Sequence, residues 1–176
     1  MGDKAAKKPK VVHGAGVTPY GMYLMAQNYR ATADALENVV VLPHVTDHPR
    51  HFLYYQALEH FLRTFLHLKG QKLKKIQRLG HDWGKMLDRC QFYDLQLPAQ
   101  AEKFIRSSAL DNALVRVRYE IVVKTKGRKA RSTLPLEKAI YALELAVGQE
   151  PSRLAFASQL PCTEDRLRPR YSLLTI

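Results

Sequence analysis

The sequence predicts an all-α fold, an antiparallel helical bundle, on three observations. Apolar side chains at Phe52, Tyr55, Leu58, Phe61, Leu62, Phe65 and Leu66 recur at steps of three and four residues. That spacing places them on one stripe of a helix that must be buried against a neighbour. Proline and glycine punctuate the chain at the intervals that helix starts and stops require. Only one stretch, beginning at Leu114, changes to a two-residue period, and it carries the single expectation of extended structure.

The helices follow in order. Thr18-Pro19 supplies a cap followed by proline at the first helical position, and Met22, Met25, Ala26, Tyr29, Ala33 and Leu36 make a buried face up to about Asn38. Pro43 and Pro49 punctuate the connection. Asp47 or His48 is the expected cap of the second helix, which runs from Arg50 to Lys69 and stops at Gly70. The first two helices should pack antiparallel. Beyond Gly70, Leu73, Ile76 and Leu79 form a short apolar face, while Lys72, Lys74, Lys75 and Arg78 point elsewhere as a compact basic ridge. Asp82 can accept backbone N–H groups at the start of a helix to Tyr93 that buries Trp83, Met86, Leu87 and Cys90. Pro98 opens the next, with Ala101, Phe104, Ile105 and Ala109 inward to about Leu110. Val115, Val117, Tyr119, Ile121 and Val123 then alternate with mainly polar residues, and Arg131 to Leu134 could return as a second strand. A small basic hairpin or extended excursion is therefore expected near residues 114–134. Pro135 begins the last helix, which turns Leu136, Ile140, Leu143 and Val147 inward and stops at Gly148.

A chain of 176 residues, 46% hydrophobic, can bury one substantial core. The expected organisation is a basic N-terminal arm over 1–17, a helical domain over 18–148 and an irregular C-terminal tail over 149–176. The net charge of +12 has the sign that attracts polyanions such as RNA, DNA or an acidic protein surface. Cys90 and Cys162 lie far apart in no metal spacing, which suits reduced thiols in a cytoplasmic protein. No apolar run approaches the roughly 18 residues needed to cross a bilayer, so no membrane partner is expected.

Ala57-Leu58-Glu59, Phe61-Leu62-Arg63, Leu66 and Lys69-Gly70, followed by Gly80-His81-Asp82 and Lys85-Met86-Leu87, resemble the core of HEPN-type helical domains. The resemblance covers about the middle half of the chain, Met22 to Tyr119. It implies a helical bundle, often dimeric, in a family rich in metal-independent endoribonucleases marked by an arginine and a histidine with four to six residues between them. Here the spacing differs: three residues separate Arg63 from His67, and two separate Arg78 from His81, the last histidine. Arg118 to Val123 resembles the same motif with valine in the histidine position, and arginine alone cannot transfer a proton at neutral pH. The resemblance thus implies an RNA-associated protein, non-catalytic or a degenerate endoribonuclease of a toxin-antitoxin or phage-defence type. The alternative is an interaction domain for an acidic protein, such as a nucleotidyltransferase-like antitoxin.

Candidate site residues follow from chemistry. His81 stands beside a helix N-terminus, where backbone N–H groups favour an anion. Glu59 falls within the apolar region of the second helix and must meet a cation or donors; Arg118, placed by the resemblance at this part of the bundle, is the expected partner. His81, Glu59 and Arg118 are accordingly expected in one polar cluster. Nucleic acid would bind through Lys72, Lys74 and Lys75 together with Lys124, Lys126, Arg128, Lys129 and Arg131, without an aromatic platform among the latter five. No metal or cofactor is expected: His44, His48 and His51 read as surface residues. The sequence lacks an HExxH motif, a phosphate-binding glycine loop, a GxSxG elbow, paired cysteines and a dinucleotide fingerprint, so the corresponding enzyme classes have no support.

Overall fold

A computed structural model describes residues 18–39, 48–119 and 132–149, and over these the protein is an all-helical bundle. The arm over 1–17, the predicted tail from Glu150 onward, Asp47 and the cluster from Lys124 to Arg131 lie outside the described residues.

Helix α1 (Pro19–Ala35) opens with Thr18, whose hydroxyl accepts the Gly21 N–H at 3.0 Å, and tightens into a 3-10 turn at Leu36–Asn38. Helix α2 (His48–Leu68) packs along α1 and carries the stripe read from the sequence: Tyr55, Leu58, Phe61, Leu62, Phe65 and Leu66 are buried, and Phe52 is partly buried against the same core. Its end is a left-handed glycine cap. Gly70 adopts φ +82°, its N–H bonds to the His67 carbonyl, and the Gln71 N–H reaches back to Leu66 at 3.0 Å.

A single turn of helix, α3 (Leu73–Gln77), follows and buries Ile76. Helix α4 (Trp83–Phe92) starts at Asp82, whose carboxylate accepts the Lys85 N–H at 3.0 Å, as its position predicts. These bonds from Lys85 hold the Asp82 carboxyl below the usual carboxylate range. Helices α5 (Ala99–Leu110), α6 (Ala113–Tyr119) and α7 (Leu134–Gly148) complete the bundle. Helix α2 is central: it touches α1, α3, α4, α6 and α7, while α5 bridges α4, α6 and α7. The expected shared core is present, with Leu58, Phe61, Leu62, Phe65, Trp83, Leu87 and Ile140 buried in one cluster.

One element corrects the sequence reading. Residues 113–119 form a helix, where an extended segment beginning at Leu114 was expected. Ala113, Leu114 and Val117 stand at i, i+1 and i+4, a helical face as well as part of an alternation; the first two are buried and Val115 is exposed. Packing against α2 and α5 selects the helical solution. Residues 120–131 of the expected hairpin lie outside the described residues, and Leu134, expected in its returning strand, instead begins helix α7.

Candidate functional site

The polar centre of the bundle is Glu59, 4% exposed on α2. A carboxylate there must be satisfied by donors, and three converge on it. Arg63, one helical turn further on, places Nη2 2.8 Å from Oε1. The Nδ1 of His81 stands 2.9 Å from Oε2, and the Trp83 indole N–H donates to the same oxygen at 3.3 Å. Arg63 also donates to the Gly80 carbonyl at 2.8 Å. Gly80 holds φ +60°, a conformation that a side chain disfavours; the turn it makes carries His81 over Glu59 while its carbonyl faces Arg63. One carboxylate thereby ties α2 to the turn that starts α4.

His81 and Glu59 meet as expected, but Arg118 does not join them. Its guanidinium lies 5.1 Å from the centroid of the Phe52 ring. Phe52 precedes Glu59 by seven residues on α2, about 10 Å along the helix axis. The cation that Glu59 required was already available one turn away on its own helix, in the i,i+4 geometry that Arg63 occupies. This spacing is legible in the sequence and identifies the partner that was missed. Trp83, read as a core residue, has the additional role of donating to Glu59.

The arrangement has a definite chemical capacity. A carboxylate accepting at Nδ1 fixes the imidazole in the tautomer that carries its proton there, and leaves Nε2 as the nitrogen able to accept or return a proton. The His81 side chain is 57% exposed. It lines a cleft of about 540 Å³ with Asp82, Gly84, Arg106, Ser108 and Asn112, where the ends of α4, α5 and α6 meet. Arg106 is engaged by Asp88 and Gln91, each at 2.7 Å.

A second polar knot binds the opposite side of α2. Buried Arg50 donates to the Ala33 carbonyl, the Tyr54 hydroxyl and Glu137, and Tyr54 in turn donates to Asp34 at 2.7 Å. Burial and the bond to Asp34 push the Tyr54 phenol well up from its ordinary value. These bonds join α1, α2 and α7 and serve the fold. Burial likewise pushes the Cys90 thiol well up, which makes it a packed core group with little thiolate character. Among the described residues no group of three or more histidines, cysteines and acids could hold a metal ion. No helix among them is long and apolar enough to cross a membrane.

The predicted basic ridge is built as expected: Lys72, Lys74, Lys75 and Arg78 are all exposed around α3, whose buried residue is Ile76. No acidic residue occurs from Lys69 to His81. No family model, curated protein or solved structure matches the chain.

Proposed function

We propose that this protein is an HEPN-like, RNA-associated protein that binds through the α3 ridge and does not depend on catalysis. The observation that carries the reading is the ridge itself: four exposed cations within seven positions, anchored by one buried isoleucine, with no carboxylate in the segment. Such an array follows a phosphate backbone, and the net charge of +12 adds a long-range attraction for polyanions. The Glu59 cluster supports the non-catalytic side of the reading, because its three donors give it a complete structural role as the link between α2 and α4.

Binding of a labelled RNA measured across a salt series tests this. Affinity should fall steeply with salt, and replacing Lys72, Lys74 and Lys75 with Ala should flatten the slope of log K against log salt by about two, on a rule of ~0.7 per neutralised single-strand phosphate. Binding that is insensitive to salt, or unchanged in the triple variant, overturns the reading in favour of an acidic protein partner.

A residual endoribonuclease is the second reading, favoured by the orientation of His81 over the cleft. Were it correct, purified protein would cleave RNA with a rate lost in H81A; absence of cleavage in the wild type removes it.

A further inference from the structure

The ridge at α3 does not stand alone, and the second half of the surface beside it is aromatic. Phe92, the last residue of α4, is 71% exposed. Arg89, one turn earlier, stacks its guanidinium 5.1 Å from the Phe92 centroid and 5.4 Å from that of Tyr93, while the two rings stand perpendicular, 5.2 Å apart. This group is fixed to the ridge in two ways. The Gln71 amide donates to the Tyr93 hydroxyl, and Gln71 immediately precedes Lys72. Arg89 also lines, with Lys75 and Arg78, a groove of about 340 Å³ whose floor is Leu66, Ile76 and Leu79. Cations and an open aromatic face therefore share one rigid patch. The nearest acids in sequence do not oppose it equally: Asp88 is held by Arg106 at 2.7 Å, and Asp94 follows in the turn after Tyr93.

We infer that this patch is a binding site for single-stranded RNA, in which Lys72, Lys74, Lys75, Arg78 and Arg89 track the phosphates and an unpaired base stacks on Phe92. The inference rests on the polyanion reading above and adds to it the recognition of bases. Its chemical reason is that a phosphate-only ligand has no use for an exposed ring, whereas an unpaired base has a π-face that stacks on any aromatic side chain regardless of sequence. A duplex hides those faces. Arg89 completes the platform by holding the Phe92 ring from one side and contributing its own charge to the groove.

The test compares three fluorescent probes of equal length by anisotropy at fixed salt: a single-stranded 12-mer of adenosine, an abasic 12-mer with the same number of phosphates, and a 12-base-pair RNA duplex. Wild-type protein should bind the adenosine strand more tightly than the abasic strand, and F92A should weaken adenosine-strand binding about 5- to 150-fold while leaving the abasic strand unaffected. F92W should retain the preference, since indole also stacks. Because Phe92 is largely exposed, circular dichroism should show F92A folded, and F92W guards against a packing artefact. Equal wild-type affinity for the adenosine and abasic strands, stronger binding of the duplex, or loss of the preference in F92W overturns the inference. If the lysine triple variant loses binding to every probe while F92A loses none, the polyanion reading stands and the stacking site falls. If no probe is bound, both fall.

Discussion

Replacing Glu59 with glutamine should destabilise the protein by about 2 to 3 kcal/mol, although it changes neither the volume nor the shape of the side chain. The magnitude comes from counting what the three donors lose. Two carboxylate oxygens become one oxygen and one NH2 group, so one acceptor disappears and a new donor is directed at existing donors. Hydrogen bonds to charged groups contribute about 1.5 to 3 kcal/mol, and a buried donor left without a partner costs about 1 to 3 kcal/mol. The upper ends of these ranges do not apply here. Arg63 retains the Gly80 carbonyl at 2.8 Å, the His81 ring is 57% exposed and can bond to water, and the Trp83 bond is long at 3.3 Å. The remaining loss is dominated by Arg63, whose side chain is 19% exposed and whose charge loses its counterion. Urea denaturation should show a lower midpoint at unchanged slope, and thermal unfolding a fall of about 5 to 10 °C. A cycle with Arg63→Met isolates the pair: the double variant should be less destabilised than the two single losses summed, by about 1 to 2 kcal/mol. A loss below about 0.5 kcal/mol in E59Q, or additivity of the two substitutions, would refute the claim that this carboxylate ties α2 to the start of α4.

Phe61, fully buried and edge-on to Tyr23 at 5.8 Å, should cost about 3 to 5 kcal/mol on truncation to alanine, measured by the same denaturation; a loss under 1 kcal/mol would contradict its place in the core. His60 stacks on Tyr29 at 5.4 Å, and burial holds its imidazole below the ordinary histidine value. The unfolded chain therefore binds this proton more readily than the folded one, so stability should decline as pH falls from about 6.5. H60F should lessen that decline, and an identical pH profile in the variant would show that His60 does not contribute to it. The contribution of Asp82, whose carboxyl is held low by the Lys85 bonds, should be lost only at lower pH, below about 4, and D82N should leave the region near pH 6 unchanged.

The sequence by itself determined where the helices lie and how several of them begin and end, because those properties depend on neighbours along the chain. Thr18 and Asp82 cap the N–H groups within three residues of them, Gly70 takes the left-handed conformation open to a residue without a Cβ, and the stripe on α2 is buried as its three- and four-residue spacing requires. The basic ridge was legible for the same reason: Ile76 fixes which way a single turn faces, and the lysines take the other side. Tertiary structure decided what depends on distant segments. The stretch 113–119 is too short for its period to separate strand from helix, and contact with α2 and α5 resolved it. Glu59 announced its need for a cation, but the choice between Arg63 and Arg118 rested on a few ångströms of packing that put the latter on Phe52. Phe92 lay just beyond the last buried residue of α4, Cys90, and only the Gln71–Tyr93 bond and the place of Arg89 in a groove with Lys75 and Arg78 tie that exposed ring to the ridge. Local order arises from bonds between residues a few positions apart, whereas a site is assembled by side chains whose proximity follows from the burial of other residues altogether.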